Sequence, residues 1–191
     1  LNKSTFAMQP GEAIELVNFE PDINGGYRRI NGFAKYNTNI VPITSASTEE
    51  VLLSCIFNGT IVAARGTKIH TATAGSGSWT ERDTGRTSAG VYTFERFNFD
   101  GNDKLIVADG NNAPTVFNTS FAATDVTSAG GGEVSTAVTG AKFVAVFKDH
   151  MFYAGMANNK QEVVFSVPFD EDNFATGSGA GSFKVDDTIT G

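Results

Sequence analysis

The sequence predicts an all-β fold made of propeller-like blades, each a sheet of four antiparallel strands. Three observations predict it. Short runs rich in β-branched and aromatic residues alternate with clusters of Gly, Asn, Asp and Ser, the pattern of brief strands and tight turns. One order of elements recurs three times along the chain. Small residues return at matching places, with Ala64, Ala108 and Ala154 lying 44 and 46 residues apart.

The repeats read as follows. Unit one starts near Val51, unit two near Val91 and unit three near Ala141. Each opens with an apolar strand, followed by a polar turn: "FNGT", "FDGND" or "FKDH". A second strand ends in small residues ("VAARG", "IVADG", "FYAGM"), where Ala and Gly permit close approach around a central channel. A third strand comes next ("KIHTAT", "APTVFNTS", "EVVFSVP"), and an aromatic residue (Trp79, Phe121, Phe174) introduces a fourth element. Four short strands in about 40–50 residues is the arithmetic of a propeller blade. A β-sandwich with evenly spaced hairpins is the alternative. Three blades do not close a ring, and "SFKVDDTITG" is expected to open a fourth, so the chain is expected to be a portion of a longer protein. The expected division is residues 1–48 as an N-terminal hairpin or clasp and 49–191 as a partial propeller. Gly- and Ser-rich stretches at 88–90, 128–132 and 177–182 are expected to join the blades.

Composition narrows the function classes. Of 191 residues, 40% are hydrophobic and 16 are Phe, so a packed core is expected. The net charge of −7 argues against a nucleic-acid-binding surface over the whole chain, because phosphate contacts need local positive charge. No apolar run reaches the roughly 20 residues that a membrane helix needs. The lone Cys55 sits in an apolar run and reads as a small hydrophobe. One Cys and two separated His leave no donor set for zinc. No cofactor fingerprint is present, and none is expected.

Catalytic patterns are equally sparse. The paired carboxylates of "FDEDNF" (Asp170, Glu171, Asp172) and "KVDD" (Asp186, Asp187) read as solvated turns, since a glycosidase needs two carboxylates held across a cleft. His70 lies mid-strand and His150 at a turn, neither within a nucleophile or metal pattern. "NFDGND" alternates oxygen ligands around Gly101, which makes Asp100, Asn102 and Asp103 the only metal candidates. A hairpin turn explains them equally well. "AGSGSWTERD" is similar to the Asp-box turn of sialidase-type propellers, but Ala74 stands where the naming Asp would fall. The expectation is a protein that is not an enzyme.

The most distinctive segment is residues 18–36, "NFEPDINGGYRRINGFAKY". Asn24-Gly25-Gly26 supplies the positive φ of a hairpin turn, with arms on either side. Phe19, Tyr27, Arg28, Arg29, Phe33 and Tyr36 form the only compact aromatic–Arg cluster, and such residues anchor interfaces. They are the subunit-interface or clasp candidates. Arg28 and Arg29 should point to opposite faces, because side chains alternate along a strand.

"AIELVNFEPDINGGYRRINGFAKY" and "VVFSVPFDEDNFATGSGAGSFKVDDTITG" resemble the opening and the propeller strands of tail-associated virion proteins of tailed bacteriophages, in particular the tail tubular protein B, or nozzle, group of short-tailed phages. The resemblance implies a structural subunit in a virion tail, assembled as a homo-oligomeric ring of about six copies. It implies neighbours among other tail or portal-proximal proteins, and DNA that passes during ejection without sequence-specific binding. An acidic chain suits that role, since it repels phosphate and lets a duplex slide. A propeller module that recognises glycan or protein ligands, as in host adhesion, is the alternative reading.

Overall fold

A computed structural model describes residues 17–32, 34–44, 48–126 and 138–186. The segment "EAIELV", apart from Val17, lies outside the described residues, as do Phe33 and the Gly-rich stretch at 128–132. The chain divides into two compact units, Leu1–Lys35 and Tyr36–Gly191. The second unit therefore starts earlier than the residue 49 expected from the repeat.

The first unit contributes one hairpin, β1 (Phe19–Pro21) with β2 (Tyr27–Arg29). Its loop turns on Gly25 and Gly26, both at positive φ, and Asp22 Oδ1 accepts the Asn24 N–H. The turn expected from Asn-Gly-Gly is there, but the strands it joins are only three residues long.

The second unit is all-β and holds three four-stranded antiparallel sheets, each a meander in chain order. Sheet one contains β3 (Val51–Phe57), β4 (Thr60–Arg65), β5 (Lys68–Ala72) and β6 (Thr80–Thr84). Sheet two contains β7 (Thr93–Phe99), β8 (Asn102–Ala108), β9 (Thr115–Phe117) and β10 (Ala123–Asp125). Sheet three contains β11 (Phe143–Phe147), β12 (His150–Ala154), β13 (Glu162–Phe165) and β14 (Gly181–Lys184). Three sheets of four match the three repeat units. Ala64, Ala108 and Ala154 each fall near the end of the second strand of a sheet.

Contrary to expectation, the strand within "SFKVDDTITG" does not open a fourth sheet. It is β14, which pairs with β13 and completes the third, so residues 177–182 run within that sheet rather than between sheets. The β13–β14 connection carries "FDEDNF" and a short 3-10 turn, Thr176–Ser178, which delays the fourth strand. Phe174 is buried in the core before β14 begins, whereas Trp79 directly precedes β6. The aromatic marker thus kept its place in the packing while the strand moved along the chain.

Sheet two lies between the others, and the two-residue period of its strands explains how. Leu105, Val107 and Phe117 pack with Leu53, Cys55, Phe57, Val62 and Ile69 of sheet one. Ile106, Ala108, Val116 and Phe99 face the other way and pack with Val144, Met151, Tyr153 and Val164 of sheet three. Alternate side chains leave a strand on opposite faces, so the continuous apolar run "LIVA" of β8 serves two cores at once.

The first hairpin of every sheet turns with two successive residues at positive φ: Asn58-Gly59, Asp100-Gly101 and Lys148-Asp149. Tight hairpins favour this mirror-image turn because its twist matches the strands, and Gly tolerates it best at the second position. Sheet three has no Gly there. Asp149→Gly should therefore stabilise the protein by about 0.5–1 kcal/mol. Urea unfolding would check this, and a loss of stability would refute it.

Candidate functional site

Two exposed surfaces and two clefts collect the polar and aromatic residues that could serve function. The N-terminal hairpin comes first. Its register sets Phe19 opposite Arg29, Glu20 opposite Arg28, and Pro21 opposite Tyr27. Cross-strand partners share a face, so Phe19, Tyr27 and Arg29 lie together on one side while Glu20 and Arg28 take the other. Arg28 Nη2 lies 2.7 Å from Glu20 Oε1. Arg29 faces no described carboxylate in an ion pair. The expected opposite orientation of the two arginines is what the register imposes, and it divides their roles. Arg28 holds the hairpin together, and Arg29 joins an exposed aromatic pair.

A prediction separates them. Arg28→Glu sets two carboxylates opposite each other across the hairpin and should disturb it locally. Arg29→Glu leaves the ion pair intact and should impair association with a partner while the thermal midpoint stays within about 1 °C. Wild-type association by the Arg29→Glu variant, measured by light scattering, would remove Arg29 from any interface.

Tyr36 belongs to the second unit rather than to this cluster. Its hydroxyl donates to Gly59 O at 3.3 Å and its carbonyl accepts the Gly75 N–H at 2.8 Å, both in turns that join strands of sheet one. The residues that follow cover the same sheet. Trp79 Nε1 donates to Asn39 O at 3.0 Å, and Arg65 donates to Val41 O at 2.6 Å and to Glu49 O at 3.0 Å. This strap explains why the compact unit starts at Tyr36. It also explains the role of Trp79, which anchors the strap as well as the blade turn.

Sheet three has no such strap among the described residues. Its inner positions are buried, while its outer positions carry Phe147, Phe152, Phe165 and Phe183 with His150 among them. Phe152 and Phe165 stack at 5.4 Å, and His150 meets the Phe165 edge at 5.4 Å. Phe165 also rests on Gly181, where a Cβ would come within 2.9 Å of the ring. Phe147 and Phe183 remain 61% and 48% exposed. His150 Nδ1 lies 2.5 Å from Ser166 O, which fixes the ring against this face. Scattered exposed apolar residues are ordinary, but an aromatic row across one sheet face marks an interaction surface.

The larger cleft opens between sheets one and two, with a volume of about 500 Å³, and is lined by Phe57, Asn58, Arg96, Phe97, Asn98 and Lys104 among others. Much of its polar lining is engaged internally. Arg96 donates to Ile56 O, Asn58 Nδ2 to Thr119 O, and Asn98 Nδ2 to Asp103 Oδ1. The "NFDGND" turn forms one rim. Gly101 N donates to Asn98 Oδ1, and Asn102 Nδ2 reaches the Asp100 carbonyl. The metal candidates Asp100, Asn102 and Asp103 thus belong to a self-satisfied β7–β8 hairpin rather than to converging ligands. Among the described residues no three His, Cys, Asp or Glu side chains are placed to hold a metal ion.

The second cleft, of about 250 Å³, lies between sheets two and three and includes Glu171 and Asp172. Contrary to the solvated turn expected for "FDEDNF", Glu171 is buried, and Asp170 and Asp172 are half-buried, because the segment folds against sheets two and three. Burial, a hydrogen bond shared with Asp170 and the charge of Glu171 push the Asp172 carboxyl up to about 6. Elsewhere, burial lowers the pKa of His70 and pushes the Cys55 thiol up to about 11, which keeps it inert at neutral pH. Burial opposes ionisation of Asp109 too, yet N–H donors from Asn112, Asn111 and Thr87 outweigh it and hold that carboxyl below the usual range.

Comparisons with protein-family models, with curated proteins and with solved structures returned no match for this chain.

Proposed function

We propose that the chain is a non-catalytic structural subunit of a tailed-phage virion, of the tail tubular B or nozzle kind. In this reading it assembles with further copies into a ring around the DNA path. The observation that carries the assembly role is the outer face of sheet three. Within the chain, each sheet-to-sheet contact is made by alternate strand positions of one sheet meeting those of the next. Sheet three presents the same kind of positions outward, filled with Phe. A neighbouring subunit that lays an apolar surface there would continue a packing mode the chain already uses twice. Contacts between unlike surfaces propagate head to tail and close into rings when the rotation allows. The phage assignment is supported by the likeness of the two quoted stretches to tail proteins. The net charge of −7 suits a wall that DNA slides past.

A glycan-binding module is the second reading, favoured by the cleft of about 500 Å³, where Phe57 and Phe97 sit among Asn, Arg and Asp side chains. Native mass measurement with particle imaging decides between them. A ring of about six copies supports the tail reading. A stable monomer that captures sugars on a glycan array overturns it.

A further inference from the structure

The cleft between sheets two and three contains a charge arrangement that the assembly role leaves unused. Lys104 of β8, Val116 of β9, Asn118, Thr124 and Asp125 form one wall, and Glu171 with Asp172 form the other. Glu171 is only 4% exposed. Its Oε1 accepts from Lys104 Nζ, while its Oε2 is buried with no hydrogen-bond partner. A buried carboxylate oxygen without a donor is costly, and native proteins rarely tolerate one without a reason.

The charge balance around the cleft points the same way. Asp125, Glu171 and Asp172 line it together with a single described cation, Lys104, which Glu171 holds, while Asp125 is held by Arg86 from outside the cleft. The apolar contribution of Val116 and Ala122 suits a short alkyl stem rather than a second charge. The volume of about 250 Å³ is below the range of drug-sized ligand sites and fits a small group. Because the described acidic groups do not converge as metal ligands, a bare metal ion is a poor fit. An N–H-bearing organic cation can donate to Glu171 and to Asp172 at once.

We propose that this cleft binds an alkylammonium group, with Glu171 Oε2 and the Asp172 carboxylate accepting its N–H bonds. Such a group is found at the end of a free aliphatic diamine and at the tip of a lysine side chain.

The test uses the full chain and two probes, putrescine and N-acetyl-lysine methylamide, followed by calorimetric titration at pH 7.5. Saturable binding of either probe is expected, with preference for putrescine pointing to a free amine and preference for the lysine derivative to a protein partner. Tetramethylammonium, which has the charge but no N–H, should bind at least about tenfold more weakly. Glu171→Gln should lower affinity by at least about tenfold, and Asp172→Asn, at a half-buried position that should leave the fold intact, should lower it several-fold. Absence of saturable binding by both probes overturns the proposal, as does equal binding by wild type and the folded Asp172→Asn variant. Neither result bears on ring assembly, which the aromatic face of sheet three governs.

Discussion

Arg86→Ala is expected to cost the protein about 3–5 kcal/mol of folding stability, the loss typical when one partner is removed from a buried ion pair. The Arg86 side chain is 5% exposed and lies between the first two sheets. Its Nε lies 2.5 Å from Asp83 Oδ2 on β6, and its Nη2 lies 2.6 Å from Asp125 Oδ1 on β10. Nη1 donates to Ala113 O at 2.7 Å, Nη2 also bonds Thr115 Oγ1, and the backbone N–H donates to Thr67 O at 3.0 Å. One guanidinium thus joins both sheets at several points. Its planar fork cannot be copied by an ammonium, so Arg86→Lys should recover only part of the loss. Removing it leaves the largely enclosed Asp83 carboxylate without its cation. Urea unfolding at pH 7 would measure the loss. A loss below about 1 kcal/mol at pH 7 would show that Arg86 is peripheral.

Neither Arg86 nor its acceptors stood out in the sequence. "TERDTGRTSAG" reads as a polar stretch between blades. Asp83 lies only three residues before Arg86, but the other side-chain partners, Ala113, Thr115 and Asp125, lie 27 to 39 residues away. Pattern reasoning finds what is periodic or contiguous, such as the three meanders, the polar turns and the positions of the small residues. It does not find a contact that forms only when two sheets meet. The same limit explains β14. Sequence spacing put the strand of "SFKVDDTITG" in a new unit, because the β13–β14 connection is longer than its counterparts. Backbone pairing with β13 decides the matter, and pairing has no local signature. In the hairpin, alternation correctly separated Arg28 from Arg29, but it could not say which of them Glu20 would hold.

The aromatic face shows why surface is harder to read than core. "AKFVAVFKDHMFYAG" is apolar at successive positions, Phe143 to Phe147 and Met151 to Ala154, so both faces of sheet three look apolar in the sequence. Only the position of sheet two decides which set is buried. Val144, Met151 and Tyr153 meet the core, and Phe147 and Phe152 are left on the outer side. A central sheet needs apolar residues on both faces, and an edge sheet in a monomer does not. Sheet three is built like a central sheet but has a described neighbour on one side.

On the proposed assembly through this face, Phe147→Glu combined with Phe183→Glu should abolish self-association while leaving the fold intact. Aromatic anchors near the centre of an interface commonly contribute about 2 kcal/mol or more each, so the pair should weaken assembly by roughly a thousandfold. Both positions are exposed in the free chain, and exposed substitutions usually change stability by less than about 0.5 kcal/mol. Losing exposed Phe also removes a patch that would otherwise favour nonspecific aggregation, so the variant should be the more soluble form. Sedimentation velocity across a concentration series would separate the outcomes. A monomeric variant with a wild-type unfolding midpoint assigns the face to assembly. A variant that still forms the wild-type oligomer moves the interface elsewhere, with the Phe19–Tyr27–Arg29 face of the hairpin as the next surface to test. The charge placed at Phe147 is decisive because β11 is an edge strand whose open side and outer face both end at that residue. A neighbouring sheet could not cover the aromatic row without desolvating the new carboxylate.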